Sequence, residues 1–325
     1  MKNKVLITGA GGFIGSHLVE LCVQQGLKVR AFVRYNSQNN WGWLEHSKYL
    51  KEIQIITGDI RDFDSVKKAI QDCETVFHLA ALIGIPYSYN SPIAYLRTNI
   101  EGTYNVLQAS KELNTEKIII TSTSETYGTA QYVPIDEKHP VVGQSPYSAS
   151  KIAADQLAIS YYRSFDMPIK IVRPFNTYGP RQSARAIIPT IIIQILSGRK
   201  KIFLGNLYTT RDFTYVTDTV EGFFEIAESK KLFGETTNIG MNTEISINDL
   251  AKLIGQIMGI EIEIYCDKKR LRPNNSEVDR LICENSKILK NTNWLPKYNL
   301  ESGLIETIEC IKDDISYYKS EIYNV

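Results

Sequence analysis

An excess charge of either sign, a paired set of cysteines and a long apolar run are all missing from this sequence, and each absence removes a class of function. Lysine and arginine number 37 against 36 aspartate and glutamate, for a net charge of +1. That balance offers no general attraction to nucleic acid or to an acidic membrane surface, so an anionic ligand must be held by local groups. The five cysteines (Cys22, Cys73, Cys266, Cys283, Cys310) are odd in number, scattered and free of any CxxC pair. They argue against a disulfide framework and a zinc site, and they read as reduced core thiols with no metal centre expected. The longest apolar stretch, Ala186–Leu196, is broken by Pro189, Thr190 and Gln194 and falls short of the ~20 residues of a membrane span. Glycines interrupt the N-terminal run MKNKVLITGAGG before a signal-peptide core could form. A cytoplasmic protein that contacts neither nucleic acid nor membrane is the expectation.

What is present is a 325-residue chain, 43% hydrophobic, long enough for one large domain or two modest ones. Apolar, β-branched runs at Val5–Thr8, Val29–Val33, Ile53–Thr57, Val76–Ala80 and Ile118–Thr121 alternate with longer segments of helical spacing. This alternation predicts an α/β fold with a doubly wound parallel sheet of Rossmann type. Ser91-Pro92 and Ser145-Pro146 each set a capping hydroxyl before a proline suited to a first helical turn, predicting helices over 91–113 and 146–165. After a strand at Ile169–Pro174 the alternation loosens, with a short strand Lys201–Leu204, helices over 246–258 and 301–315 and an irregular basic segment at 267–280. Residues 1–175 with about 211–240 are therefore assigned to the dinucleotide-binding domain, and about 176–210 with 241–325 to a smaller substrate-binding domain.

The turn Gly9-Ala10-Gly11-Gly12-Phe13-Ile14-Gly15 follows the first strand and opens a helix. In that context glycines let backbone amides approach a pyrophosphate at the positive helix end. The second strand ends Val33-Arg34-Tyr35 with no carboxylate to meet an adenosine ribose. A cation there suits a 2′-phosphate, which favours NADP over NAD. Tyr147 and Lys151 stand four residues apart on the second of the two proline-started helices, so their Cβ atoms lie ~6 Å apart on one face. A neighbouring ammonium, with the positive ring of a nicotinamide, lowers a phenol's pKa and makes it a base for a hydroxyl being oxidised. Thr123, in the run TSTSETYG, supplies a third hydroxyl.

In this order the motifs resemble the extended short-chain dehydrogenase/reductase family of nucleotide-sugar enzymes. Further matches are Gly58-Asp59-Ile60, His78-Leu79-Ala80-Ala81, Asn99 and Thr103, Arg173-Pro174-Phe175-Asn176-Thr177-Tyr178-Gly179-Pro180-Arg181, Arg211-Asp212-Phe213 and Arg272-Pro273. The resemblance implies that Asp59, Ile60, Leu79, Ala80, Ala81, Asn99 and Pro174 line the cofactor and that Asn176, Arg181, Arg211 and Arg272 hold a nucleotide-diphosphate sugar. It also implies a homodimer formed through the helices 91–113 and 146–165.

Glu125 occupies the position where 4,6-dehydratases of the family carry the base for sugar carbon 5, and Ser124 stands where many have an acidic aspartate. The longer runs TSTSETYGTAQYVPIDEKHP, GQSPYSASKIAADQLA and RPFNTYGPRQSARAIIPTII are similar to the dehydratases that open legionaminic-acid-type biosynthesis. GDP- or UDP-N-acetylglucosamine is then the implied substrate, GDP preferred, with Thr123, Ser124, Glu125, Tyr147 and Lys151 catalytic. A UDP-glucuronate decarboxylase or 4-epimerase of the same family, and a cofactor-binding regulator without catalysis, are the alternatives.

Overall fold

The computed structural model describes residues 4–318. Residues 1–3 and 319–325, the outer ends of the two sequence-assigned regions, lie outside the described residues. The β-branched runs form β1 (Lys4–Thr8), β2 (Lys28–Arg34), β3 (Gln54–Gly58), β4 (Thr75–His78), β5 (Lys117–Thr121), β6 (Ile169–Pro174) and a further strand Thr236–Ile239. They make one seven-stranded sheet in the order Thr236–Ile239, β6, β5, β4, β1, β2, β3, and every pairing is parallel. The order runs outward from β1 in both directions, which opens a crevice at the carboxyl ends of β1 and β4.

Both faces of the sheet are covered, so β4 and β6 are buried along their whole length. On one face Leu18 and Val19 of α1 (Phe13–Gln24) pack with Val220 and Phe223 of the helix Val216–Glu228. On the other, Val66 and Ile70 of α2 (Phe63–Ile70) meet Val106 and Ala109 of the helix Gly102–Glu112. A second core joins the helices Ile187–Leu196, Ile247–Ile257 and Leu300–Asp313 through Ile191, Leu250, Ile254 and Leu304. Its small sheet pairs Lys201–Leu204 with Glu263–Cys266 in parallel. Among the described residues no helix is long and apolar enough to cross a membrane.

Two local expectations are corrected. The segment expected as one helix over 91–113 is α-helical at Pro92–Tyr95, π-helical at Leu96–Glu101 and α-helical again at Gly102–Glu112. Ser91 makes no capping hydrogen bond. The strand expected to run through Ala80 ends at His78, because the Thr8 hydroxyl oxygen accepts the amides of Leu79 and Ala80, each at 3.1 Å, and draws the chain off the ladder.

Candidate active site

The glycine turn is built by close approach. Gly9 has φ +69°, and a Cβ there would stand 2.8 Å from the amide nitrogen of Ala80, joining the ends of β1 and β4. A Cβ on Gly15 would stand 2.2 Å from the Gly9 carbonyl oxygen, so the helix packs directly on the turn. Gly12 is exposed and opens α1 without a side-chain cap, so no side chain of the N-cap takes up the first-turn amides at Phe13 and Ile14. Sequence reasoning missed the segment that seals this turn: the Trp43 amide donates to the Gly11 carbonyl at 3.0 Å. The run Trp41-Gly42-Trp43 was its only sequence signal.

Arg34 is exposed at the end of β2. It faces Asp59, whose carboxyl is held below its ordinary value chiefly by Arg61, burial opposing, with Arg34 a lesser contributor. The Asp59 carboxylate accepts Arg61 Nε at 2.9 Å and Nη2 at 2.5 Å. Ile60 turns its side chain into the core and its carbonyl accepts Asn105 Nδ2 at 3.0 Å, which leaves its amide as the part that can face a ligand. Leu79, Ala80 and Ala81 are half-buried beside the turn, and Pro174 ends β6 in a buried position.

Asn99, expected beside the cofactor, braces the chain at Leu82. Its Oδ1 accepts the Leu82 amide at 2.8 Å, and its Nδ2 donates to the Leu82 carbonyl at 3.0 Å and to Ser150 Oγ at 2.9 Å. His78 is neutral, its pKa lowered to about 3 first by burial and then by Lys151. Thr8 accepts two amides, so its hydroxyl donates to His78 Nδ1 at 2.9 Å. His78 Nε2 then donates to Thr103 Oγ1 at 3.0 Å, and Thr103 to the Asn99 carbonyl at 2.6 Å.

Ser145 caps the helix Pro146–Phe165 in a reciprocal box with Ser148. Tyr147 and Lys151 lie on successive turns of that helix, both buried. Lys151 Nζ donates to the Thr121 carbonyl at 2.6 Å, and the Thr123 hydroxyl faces the Tyr147 phenol and opposes the rise of its pKa. The protein's own groups do not lower the phenol's pKa as expected. Burial pushes it up, Thr123 opposes, and Glu125 adds to the rise, while burial lowers the Lys151 ammonium against the pull of Asp155.

Thr123 caps a short 3₁₀ turn, Ser124–Tyr127, accepting the Glu125 amide at 3.3 Å. Ser124 is buried, 3% exposed. The Glu125 carboxylate lies 3.9 Å from Arg272 Nη1. Glu277, which sequence reasoning missed, stands 3.5 Å from Arg272 and 3.7 Å from Arg211, gathering both guanidiniums at this end of the cleft. Asn176 Nδ2 is a buried donor without a hydrogen-bond acceptor in the chain, as a group waiting for an acceptor oxygen would be, and Arg272 Nη1 makes no hydrogen bond beyond its two ion-pair contacts. Arg181 is placed elsewhere: it donates to Glu20 at 3.0 Å and Ser16 at 3.2 Å on α1, so its charge is spent on the fold. Among the described residues no cluster of ligating side chains could hold a metal ion.

A buried phenol and ammonium one helical turn apart, with a threonine hydroxyl facing the phenol beside the crevice of a doubly wound sheet, define the short-chain dehydrogenase/reductase class. The profile of the GDP-mannose 4,6 dehydratase family matches residues 6–307. The chain is 31% identical to the dTDP-D-glucose 4,6-dehydratase of Homo sapiens over 98% of this chain and 92% of that one. It is 32% identical to the UDP-N-acetyl-alpha-D-glucosaminuronate decarboxylase of Bacillus cytotoxicus over 96% and 99%. Its fold matches the dTDP-glucose 4,6-dehydratase of Bacillus anthracis, solved in complex with NAD, with a TM-score of 0.85 and 27% identity over 97% and 98% of the two chains. The chain belongs to the GDP-mannose 4,6 dehydratase family, among the NAD-dependent nucleotide-sugar dehydratases and epimerases.

Proposed function

We propose that this protein is a nucleotide-sugar 4,6-dehydratase that converts GDP- or UDP-N-acetylglucosamine to the 4-keto-6-deoxy sugar, acting as a cytoplasmic homodimer. The observation that carries the reading is the placement of Glu125. It is the carboxylate of the turn that begins at Thr123 and it faces Arg272 at 3.9 Å, while its neighbour Ser124 is buried. An apolar groove of about 440 Å³ lined by Leu96, Ile100, Tyr104 and Leu157 supports pairing through the helices named above.

The glycine turn and the Leu79–Ala81 segment fit a dinucleotide because a Cβ at Gly9 would close the space between them. Arg34 would meet the ribose phosphate of NADP. A nicotinamide held beside Tyr147 would supply the reversible hydride exchange that oxidation at sugar carbon 4 and reduction at carbon 6 require. Tyr147 takes the proton of the 4-hydroxyl while Thr123 orients that hydroxyl. Lys151 supplies the positive charge that favours the phenolate. Asn176, Arg211 and Arg272 hold the diphosphate with charge-assisted hydrogen bonds.

The 4-ketone acidifies carbon 5, and Glu125 removes that proton. The carboxyl so formed then protonates the departing 6-hydroxyl, which leaves as water. The proton that carbon 5 regains balances the one Tyr147 took from the 4-hydroxyl.

The test is Glu125→Gln against Ser124→Ala. Glu125→Gln should still reduce bound cofactor, seen in its near-ultraviolet absorbance, and stall before water is lost. Ser124→Ala should be mild, since a hydroxyl of pKa far above 7 is a poor proton donor. Formation of keto-deoxy product by Glu125→Gln at the ordinary rate, or greater damage from Ser124→Ala, overturns the assignment. Product mass separates the alternatives: dehydration removes one water, decarboxylation one carbon dioxide, and epimerisation nothing.

A further inference from the structure

Asp155 is a buried carboxylate, 2% exposed, that none of the chemistry above uses. It follows Tyr147 and Lys151 at the same four-residue step on the helix Pro146–Phe165, so the three side chains share one face. Its Oδ2 accepts the Ser122 hydroxyl at 2.6 Å and Arg173 Nη2 at 2.7 Å. Arg173 also donates from Nε to Ser122 Oγ at 3.3 Å, and its guanidinium lies 4.5 Å from the centre of the Tyr127 ring. The Tyr127 hydroxyl is anchored in turn on Asn238 Oδ1 at 2.8 Å.

Ser122 and Tyr127 bracket the turn that holds Thr123, Ser124 and Glu125, and the residue just before it, Thr121, gives its carbonyl to Lys151. One ion pair therefore touches both ends of the catalytic turn. A buried pair of this kind is a poor source of stability, because desolvation offsets most of its attraction and well-packed apolar residues would serve as well. What a guanidinium–carboxylate pair supplies in addition is fixed direction.

We propose that Asp155 and Arg173 are positioning residues: the pair clamps both ends of the turn carrying Thr123 and Glu125, and the Asp155 carboxylate sets a negative charge one helical turn from the Lys151 ammonium. The proposal rests on Tyr147 and Lys151 acting as described above. The charged or titratable groups around Tyr147 and Lys151 are Asp155 on the same helix, Tyr95 at the end of the helix Pro92–Tyr95, neutral His78 on β4, Glu125 on the turn and Arg173 on β6. Burial lowers Lys151 and Asp155 raises it. For Tyr147 burial is the largest cause of the rise and Asp155 adds to it. Removing the Asp155 charge thus moves both groups the same way, and the whole pH–rate profile shifts to lower pH. Loosened packing alone lowers the amplitude and leaves the profile in place.

The experiment measures kcat, KM and the pH–rate profile of the cofactor-loaded enzyme on whichever of GDP-N-acetylglucosamine, UDP-N-acetylglucosamine and dTDP-glucose it converts fastest. Asp155→Asn should lower kcat about 10- to 100-fold, as misplacement of reacting groups does, with KM unchanged and the profile displaced to lower pH. Since that change leaves Arg173 buried without its partner, Asp155→Asn/Arg173→Gln is made alongside, and it too should lose kcat at unchanged KM. A profile that stays in place for a folded Asp155→Asn, a double variant with full kcat, or a loss confined to KM overturns the proposal. Tyr147→Phe is run in parallel: if it keeps full activity, the reading of the site itself fails, a result distinct from the other three.

Discussion

Tyr147 needs help that the protein alone does not supply, since burial raises its pKa and Lys151 spends one hydrogen bond on the Thr121 carbonyl. Loss of the phenol should therefore remove the base outright. Tyr147→Phe is expected to fold, bind cofactor and lose turnover by at least ~100-fold, because general base catalysis commonly contributes that much. Near-normal turnover by the purified variant would remove Tyr147 from the mechanism. Arg34 is the other residue whose chemistry can be read singly, because it is exposed and its neighbour Asp59 is already taken by Arg61. Arg34→Asp should weaken NADP binding far more than NAD, as a carboxylate repels a 2′-phosphate yet can accept a ribose hydroxyl. Titration calorimetry with the two cofactors decides it, and equal losses would mean that Arg34 does not read the ribose. Asn99 and Arg181 show where residue-level reading stops. Both sit in family-like motifs, and both are committed to protein partners that only the folded chain brings near.

At the scale of elements, two serine–proline pairs looked alike in the sequence and differ in the structure. Ser145 accepts the Ser148 amide at 3.1 Å, and Ser148 Oγ accepts the Ser145 amide at 3.0 Å. Ser91 has a backbone of φ −137° and ψ 58°, which links the helix Ile85–Asn90 directly to the next one, and its side chain makes no cap. Ser145→Ala should cost about 1 kcal/mol, the usual loss for a removed N-cap, whereas Ser91→Ala should stay within about 0.5 kcal/mol. Urea unfolding checks both, as a midpoint shift at unchanged slope for the first and none for the second. The π-helical turns at Leu96–Glu101 place Asn99 against Leu82 and Ser150, and a period of 3.6 read along the sequence gives no hint of such a register change.

For the whole molecule, acid is the condition that the fold should tolerate least. His17 Nε2 lies 3.1 Å from the Pro180 carbonyl and donates to it, since a carbonyl only accepts. Burial first, then Arg181, lower its pKa from 6.5 to about 4, and that of His78 falls to about 3. The unfolded chain takes up a proton on each as the pH falls through 6.5, while the folded chain does not until the pH nears the lowered values. Stability therefore declines from pH 6.5 towards 4, at about 1.4 kcal/mol per pKa unit for each group. Asp212 works in the opposite sense, because burial raises its pKa to about 6 against several backbone amides that lower it, so the folded chain protonates it first. The contribution of one histidine is isolated by His17→Gln, whose unfolding midpoint should fall less between pH 7 and pH 5 than that of the unaltered protein. Parallel curves would show that His17 is not depressed.

Six of the seven strands, the glycine turn and the Tyr147–Lys151 pair were legible in the sequence, because each depends on spacing along the chain: period 2 or continuous burial for strands, 3.6 for the helix face, and glycine where the backbone must come close. Arg211 and Arg272 were legible as cations and Glu125 as a carboxylate. That Glu277 gathers the two guanidiniums, that Ser124 turns inward, and that Asp155 and Arg173 meet beneath the catalytic turn were not. Those facts join segments as far apart as residues 125 and 272 or 155 and 173. Local spacing carries the elements; the low-dielectric meeting of distant charges, which decides what each can do, exists only after the elements have packed.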